Sequence, residues 1–369
     1  RVNDNGSAAN VEKARDVMPE IFDLMGEHEH EQVVFFYEPS CGYRGIIAIH
    51  DTSLGPALGG TRFWNYASDT EAVVDVLRLA RGMTYKAAVA GLNLGGGKSV
   101  IVGDNKTTHR EMIMRAHGRA VESLGGRYIT AEDVGTSVED MDYIHMETGH
   151  VVGMAGKSGD PSPVTAYGTY RGIKACALKR YGTDSLEDRS VVIQGAGHVG
   201  YFLAQDLREE GAKVFIADID ESKVERCVEE LGCEAVGADE VYDVDADVFA
   251  PCALGAILNE DTIPRLEVDI VAGAANNQLK RQHHAKMLQD RDILYAPDYV
   301  INAGGLINVY SELAGWTLER SKRKAGEIYR TLLHIFEIAE DAGMTNAEAA
   351  DEVAIRRVGQ VAKLHRTYV

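Results

Sequence analysis

Apolar residues near the start of the chain alternate with polar ones or run together in short segments, a pattern typical of β-strands. Two such segments, residues 32–38 and 45–50, flank the turn-prone stretch Pro39-Ser40-Cys41-Gly42. From Asp69 apolar residues recur at helical spacing, which predicts a helix that Asp69 caps. The strand KSVIVGD, an amphipathic helix over residues 108–124 and the strand in GRYITAEDVG follow. This alternation predicts an α/β domain.

A second set of apolar strands occupies the rest of the chain. Helical segments or loops separate the strands, as in a parallel, doubly wound sheet. Two long helical patterns, residues 317–342 and 346–366, end the sequence. The Gly, Ser and Pro-rich stretch 153–163 is the predicted connection between the two parts. The strands are VVIQGAG, KVFIAD, ADVFAPC, VDIVAGAA and DILYAP.

Length and composition support two domains. The chain has 369 residues, 45% of them hydrophobic, which is too long for one ordinary core and implies two domains with a cleft between them. Its 38 Lys and Arg face 57 Asp and Glu, and the net charge of −19 repels nucleic-acid phosphates and anionic lipid. We therefore expect neither a nucleic-acid nor a membrane partner.

The cysteines and the N-terminal residues bear on cellular location. Five cysteines are scattered along the chain without a C-x-x-C pair, which favours a reducing, cytoplasmic setting. The first sixteen residues have no apolar run of signal-peptide length, and no later stretch approaches about 18 apolar residues. We expect a soluble protein.

A glycine motif predicts a dinucleotide site. Gly195-Ala196-Gly197-His198-Val199-Gly200 follows the strand SVVIQ and opens a helix, so its backbone can approach a pyrophosphate at a helix N-terminus. Asp218 ends the next strand, where an acid accepts ribose hydroxyls and disfavours a 2′-phosphate, which predicts NAD rather than NADP. Asp220 is the alternative ribose acid. A glycine-rich turn without a ligand is the structural alternative.

Three charged residues in the first half are candidates for chemistry. Lys98 follows three glycines and precedes an apolar run, and burial lowers an amine's pKa towards that of a general base. Lys86 can hold a substrate carboxylate, and Asp133 can exchange protons with a substrate nitrogen. The structural alternatives are a helix-end cation for Lys86, a strand-start salt bridge for Lys98, and for Asp133 a cap of the helix near Val138. Glu132 points to the opposite face of its strand.

Histidine pairs invite a metal interpretation. His28 and His30, the stretch 145–150, and His283-His284 lack the H-E-x-x-H spacing and lie in polar stretches. We interpret them as surface histidines and predict no metal site.

Several motifs together resemble the Glu/Leu/Phe/Val dehydrogenases, and among them most the leucine dehydrogenases. The resemblance implies that residues 1–153, with a last helix at about 345–369 packed back on them, form an α/β substrate domain. Residues 154–344 would form a Rossmann-type, doubly wound NAD-binding domain. The linker MAGKSGDPSP is about three residues shorter than in those enzymes. The motifs are GPALGGTR, GMTYKAAVAGLNLGGGKSVIVGD, RYITAEDVGTSVEDMD, PSPVTAYGTYRGIKA, FAPCALGAILN, VAGAANNQL and YVINAGGLINV.

The resemblance also implies residue roles. Lys86 would bind the substrate α-carboxylate, Lys98 would be the catalytic lysine, and Asp133 would mediate proton transfer to the amino group. Thr165 and Asn302 would lie near the nicotinamide and the substrate, and Asn277 would lie near the cofactor.

The pocket residues indicate an aliphatic substrate. Leu58, beside Gly59, stands where glutamate enzymes of the family carry lysine, and Ala131 is similar to the leucine enzymes. Burying a substrate carboxylate against Leu58 costs several kcal/mol, whereas an isobutyl group gains roughly 2 kcal/mol. We predict reversible, NAD-dependent oxidative deamination of L-leucine and other branched-chain L-amino acids to 2-oxo acids and ammonium.

Alternatives remain open. The chain could be a valine, phenylalanine or tryptophan dehydrogenase of the same family, because one methylene is worth only about 1–3 kcal/mol in an apolar pocket. From another class, it could be a noncatalytic NAD-binding regulatory protein. The family resemblance implies a homo-oligomer, from dimer to octamer.

Overall fold

The computed structural model describes residues 20–154 and 159–365. It confirms the predicted α/β fold with two sheets, and contacts divide the chain into two compact units. The first contains residues 20–84 and 93–154, and the second contains residues 85–92 and 159–365. Residues 85–92, expected in the first domain, thus belong with the second. The N-terminal leader and part of the linker, residues 155–158, lie outside the described residues.

The first unit has a five-stranded mixed sheet of order β1-β2-β4-β3-β5. Strand β2 runs antiparallel to β1 and β4, while β3 runs parallel to β4 and β5. Strand β4 begins earlier than predicted, so it includes the three glycines before Lys98. The strands are β1 (Gln32–Glu38), β2 (Tyr43–Asp51), β3 (Ala57–Trp64), β4 (Gly95–Val102) and β5 (Tyr128–Glu132).

Helices pack on both faces of this sheet. Helix α2 covers one face through Val76 and Ala80, which pack with Ala48 and Val100. The opposite face carries the larger apolar side chains, such as Phe63, in a cluster that includes residues of α3 and α4. The helices are α1 (Ile21–Glu27), α2 (Asp69–Val89), α3 (Arg110–Glu122) and α4 (Val138–His145).

The predicted cap of α2 is wrong by one residue. Ser68 Oγ, not Asp69, accepts the Glu71 backbone N–H at 3.1 Å, and Glu71 Oε2 accepts the Ala67 N–H at 2.8 Å. Ser68 therefore caps the helix, and Glu71 satisfies the N–H of the residue before the cap. Asp69 instead pairs with Arg44 of β2.

The second unit has a six-stranded, fully parallel sheet of order β11-β10-β9-β6-β7-β8. Numbered within the unit, this is the strand order 3-2-1-4-5-6 of dinucleotide-binding folds, read from β8 to β11. The strands are β6 (Ser190–Gln194), β7 (Lys213–Ala217), β8 (Glu234–Ala235), β9 (Ala246–Pro251), β10 (Val268–Val271) and β11 (Leu294–Tyr295).

Helix α5 lies centrally in this unit and packs closely through glycine. A Cβ at Gly172 would lie 2.5 Å from Ile301 Cγ1, so a larger residue there would separate the helices. The helices of the unit are α5 (Ser162–Tyr181), α6 (His198–Glu209), α7 (Glu221–Leu231), α8 (His283–Asp290), α9 (Asp298–Ile301), α10 (Gly304–Ala314), α11 (Leu318–Gly326), α12 (Ile328–Ala342) and α13 (Asn346–His365), with a 3₁₀ turn at Ile263–Arg265.

The long helix predicted over residues 317–342 is two helices, α11 and α12, that meet at Glu327. The Glu327 N–H bonds to the Lys324 carbonyl three residues back, and Gly326 just before it is a poor helix former. The last helix, α13, groups with the second unit. Its Arg357 donates to the carbonyls of Ala88 and Leu92. These contacts do not test whether α13 packs on the first domain, because residues 85–92 belong to the second unit. That packing stays a prediction.

The hydropathy of the helices and the state of the cysteines can be read from the fold. Among the described residues, no helix has both the length and the apolar character needed to cross a membrane. All five cysteines are free thiols.

Candidate active site and dinucleotide site

Lys98 and Asp133 form an ion pair in the first unit. Lys98 lies within β4 with only 6% of its side chain exposed, and its Nζ is 3.0 Å from Asp133 Oδ1. Asp133 follows the end of β5, and its side chain is 23% exposed. The structural alternative for Asp133 is wrong, because Ser137 and Asp140 cap helix α4. The sequence therefore identified two residues that the fold brings into contact.

The predicted pocket residues lie on the same face of the sheet as Lys98. Leu58 pairs in register with Gly96, two residues before Lys98, and Gly60 pairs with Ala131. Successive side chains alternate between faces, so Leu58, Lys98 and Ala131 share one. Leu58 is 2% exposed and Ala131 8%. The fold thus places two apolar side chains on the same sheet face as Lys98.

Glycine in β3 is needed for this arrangement. A Cβ at Gly60 would lie 2.7 Å from the Asp133 Cβ, so glycine lets Asp133 approach the strand. Gly59 faces the other way, where a Cβ would lie 1.7 Å from the Gly97 carbonyl oxygen. Its own carbonyl accepts the Tyr128 hydroxyl at 2.5 Å. A direct role of Gly59 in substrate binding stays a prediction.

Burial and neighbouring charges set the protonation of the pair. Burial lowers the pKa of Lys98, and the attraction of Asp133 only partly opposes this shift. Burial would raise the pKa of Asp133, but Lys98 and Arg62 together hold it below the ordinary value. The pair thus combines an amine and a carboxylate whose pKa values both lie below their ordinary values.

Arg62 has no role predicted from the sequence, although it lies in the motif GPALGGTR. Its Nε donates to Asp133 Oδ2 at 3.0 Å. The period of two along β3 places Arg62 on the face of Leu58 and Gly60, but this strand was not among the predicted ones.

Lys86 lies in the last turn of α2 and belongs to the second unit. Its Nζ is 3.4 Å from Asn276 Oδ1, which also accepts the Asn302 side-chain N–H at 2.8 Å. Desolvation raises the pKa of nearby Asp298, and the Lys86 charge opposes that shift. The amide that contacts both Lys86 and Asn302 is thus Asn276, one residue before the predicted Asn277.

The glycine motif has the geometry of a phosphate-binding turn. Gly195 has φ of +109°, which favours glycine, and a Cβ at Gly200 would lie 1.9 Å from the Gly195 carbonyl oxygen. At Gly197 a Cβ would meet no atom within 4 Å, so its backbone is open to a ligand. Helix α6 begins at His198, and its first N–H groups lack intrahelical acceptors. The turn can therefore accommodate a pyrophosphate.

The two candidate ribose acids have different environments. Asp218 follows β7 and accepts the Ala196 backbone N–H at 2.7 Å, so it lies against the glycine turn. Asp220 caps helix α7 by accepting the Ser222 N–H. Asp218 is the better placed of the two. Its contact with a ribose stays a prediction.

Loops after the neighbouring strands β9 and β10 lie at the same edge of the sheet, the carboxyl ends of its strands. Asn277 has φ of +52°, and its carbonyl accepts the Ala256 N–H at 2.7 Å. Thr165 is buried in the first turn of α5, and a Cβ at Gly304 would lie 2.7 Å from its Cα. The loops that hold Ala256 and Asn277 lie at the edge where such sheets bind ligands, and a cofactor contact of Thr165 or Asn277 stays a prediction.

Some predicted surface histidines are buried. His30 is 7% exposed, and its Nε2–H donates to the Leu77 carbonyl at 2.9 Å. His284 is fully buried, while His283 is exposed. The prediction of surface histidines is therefore wrong for His30 and His284, because packing against neighbouring elements covers them.

His283, His284 and Glu260 come close enough to be considered as a metal site. However, His284 Nδ1 accepts the Arg281 backbone N–H at 2.9 Å. The proton of the neutral ring is therefore on Nε2, which faces Glu260 Oε1 at 3.4 Å, and a protonated nitrogen cannot ligate a metal. The geometry favours an imidazole–carboxylate contact.

The chain is similar to known dehydrogenases over nearly its whole length. Residues 30–150 match the family model of the Glu/Leu/Phe/Val dehydrogenase dimerisation domain, and residues 216–366 match that of the Glutamate/Leucine/Phenylalanine/Valine dehydrogenases. Leucine dehydrogenase from Thermoactinomyces intermedius is 54% identical over 352 residues, covering 95% of this chain and 96% of the relative. Leucine dehydrogenase from Bacillus subtilis (strain 168) is 53% identical over 342 residues, covering 92% and 94%.

A solved structure supports the same assignment. The crystal structure of L-tryptophan dehydrogenase from Nostoc punctiforme has a TM-score of 0.85 and 45% identity, covering 93% of this chain and 99% of that one. With both domain models matched and more than half of the residues shared with a full-length relative, the chain belongs to the Glu/Leu/Phe/Val dehydrogenase family.

Proposed function

We propose that this protein is an NAD-dependent dehydrogenase that oxidatively and reversibly deaminates L-leucine and other branched-chain L-amino acids. The observation that carries the proposal is the buried Lys98–Asp133 pair on the same sheet face as Leu58 and Ala131. Acid–base groups beside an apolar surface suit an amino acid with an aliphatic side chain. The 54% identity to a leucine dehydrogenase supports this choice.

The second unit fits NAD. The open backbone at Gly197, the start of helix α6 and the acid Asp218 against the glycine turn are features that would hold a pyrophosphate and an adenine ribose. An acid at this position favours NAD over NADP. When bound, NAD supplies hydride acceptance from the substrate Cα. Thr165 and Asn277 would lie near it.

The residues of this chain would then handle binding, protons and water. Lys86 holds the substrate carboxylate, with Asn302 near the substrate. After the Cα–H bond is oxidised to an iminium, Lys98 in its neutral form takes a proton from water, whose oxygen bonds to Cα. Asp133, which would have accepted a proton from the substrate ammonium before the oxidation, returns it to the nitrogen. The C–N bond then breaks, and the released ammonia takes the hydroxyl proton, which gives the 2-oxo acid and ammonium. The balance is amino acid, NAD⁺ and water to 2-oxo acid, ammonium, NADH and one proton.

A substrate panel tests this proposal. NADH absorbance is followed with L-Leu, L-Ile, L-Val, L-Phe, L-Trp and L-Glu, and substrates are compared by kcat/KM. We expect the branched aliphatic substrates to lead. A lead for Phe or Trp would indicate an aromatic-type enzyme, and no turnover with any of them would refute the proposal.

A variant pair separates the enzyme from a noncatalytic regulator. Lys98→Met should abolish turnover while NAD still binds. Lys106 is exposed, and Lys106→Met should retain both turnover and NAD binding. If the protein were a regulator, the wild type and both variants would bind NAD and none of them would show turnover.

We also propose that the protein forms a homo-oligomer. The matching family model of the first unit is described as a dimerisation domain. Strand β1 is an edge of the five-stranded sheet, with Phe35 and Tyr37 51% and 71% exposed. Multi-angle light scattering of the full chain should give a mass of two to eight subunits, and a monomer at all concentrations would contradict the proposal.

A further inference from the structure

Arg62 connects the catalytic carboxylate to helix α2. Its Nε donates to Asp133 Oδ2 at 3.0 Å, and its NH1 donates to Asp75 Oδ2 at 2.8 Å. Asp75 on α2 also accepts the Tyr66 hydroxyl at 2.8 Å and the Arg78 NH2 at 2.9 Å. The guanidinium is therefore held at two ends, and its helix-side partner is itself fixed.

The two oxygens of Asp133 have different partners. Oδ2 bonds to Arg62, whereas Oδ1 is 3.0 Å from Lys98 Nζ. Arginine does not lose its proton in proteins, so the Oδ2 bond persists at every working pH. The Arg62 Nε–H bond to Oδ2 is charge-assisted, so it holds this oxygen more strongly than a neutral hydrogen bond would. Proton exchange is thereby confined to Oδ1.

We propose that Arg62 is a positioning residue for the deamination proposed above. It holds Asp133 by Oδ2, leaves Oδ1 to Lys98 and the substrate nitrogen, and is itself anchored by Asp75. This inference rests on the proposed function for its kinetic consequence.

The charges of the group support this role. The side chains of Arg62, Asp75 and Asp133 are 19%, 17% and 23% exposed, so their interactions are weakly screened. The fixed positive charge favours the ionised form of Asp133 and disfavours the protonated form of Lys98, which lowers the pKa of both. Loss of this charge should raise both pKa values.

The outer side of Arg62 is accessible. It lines a surface cavity of about 540 Å³ together with Trp64 and Val134. Truncating Arg62 would open this cavity towards Asp133. A free guanidinium ion could then occupy the vacated position.

The test compares Arg62→Ala with wild type. Losing one hydrogen bond to a charged group should lower kcat about 10- to 100-fold. The pH profile of kcat/KM for L-leucine should move to higher pH, and millimolar guanidinium should restore part of kcat. Methylammonium at equal ionic strength should not. Arg44→Ala is the matched control, because Arg44 joins β2 to α2 through Asp69 without contacting Asp133.

A readout without turnover separates this inference from the proposed function. Lysine labelled with ¹³C at Cε is followed by NMR against pH, with Lys98→Met to assign its signal. In Arg62→Ala, or in Arg62→Gln if the first variant does not fold, Lys98 should titrate at higher pH than in wild type. An unchanged Lys98 titration, or an unchanged kcat and pH profile in an active enzyme, would overturn the inference. Absence of turnover in wild type would refute only the function.

Discussion

Replacing Asp133 by asparagine should destabilise the protein in a strongly pH-dependent way. Asn keeps the size of the side chain but removes the charge that faces Lys98 Nζ at 3.0 Å. Lys98, 6% exposed, then stands beside Arg62 without a compensating carboxylate. A buried unpaired cation costs about 3–5 kcal/mol, but lysine can avoid that cost by releasing its proton.

The proton release sets the magnitude. Deprotonating an amine of ordinary pKa about 10.4 at pH 7.4 costs about 4 kcal/mol, because each pKa unit is worth about 1.36 kcal/mol. At pH 9.4 the same step costs only about 1.4 kcal/mol. The unfolded variant carries one more proton than the folded one, so its free energy of unfolding rises with pH in this range. Its deficit relative to wild type should therefore be largest near neutrality and shrink towards pH 10.

Urea unfolding followed by circular dichroism measures this deficit from pH 7 to pH 10, at one fixed protein concentration. Glu132→Gln is the matched control, because Glu132 is adjacent in sequence but exposed on the other face of the sheet. The control should match wild type at every pH and retain activity, whereas Asp133→Asn should lose about 100- to 10,000-fold in kcat. A deficit that does not change with pH would refute the reasoning that Lys98 discharges.

Three further predictions follow from single residues. Leu58→Lys should lower kcat/KM for L-leucine at least 100-fold and raise it for L-glutamate, as measured by NADH formation; no gain for glutamate would contradict the pocket assignment. Gly200→Ala should prevent NAD binding in calorimetry, because its Cβ would lie 1.9 Å from the Gly195 carbonyl oxygen, and undiminished affinity would show that the turn does not hold the cofactor. Burial lowers the pKa of His117 from 6.5 to about 3, so the folded state stays neutral while the unfolded state gains a proton. Stability should fall as pH decreases from about 6.5 towards 3, and His117→Asn should flatten this slope in urea unfolding; an equal slope in both proteins would refute the assignment.

The sequence by itself determined the features that depend on short stretches of chain. Alternation and helical spacing predicted most strands and helices, since side-chain periodicity is a local property, but they did not predict β3. The glycine turn at residues 195–200 and the following Asp218 could be read because the turn needs glycine wherever it occurs. The long family motifs identified Lys86, Lys98 and Asp133. Periodicity missed the break at Glu327, because a turn between two helices preserves the helical pattern.

Only the tertiary structure decided which distant side chains meet. Arg62 and Asp133 are 71 residues apart in sequence, and their contact depends on the parallel pairing of β3 with β5. His30 looked exposed from its polar neighbours, yet it is buried with its ring bonded to the carbonyl of Leu77, 47 residues away. Such contacts are set by packing between elements, which no local propensity encodes. The reactive pair could therefore be named from motifs, whereas the residue that orients it emerged only from the fold.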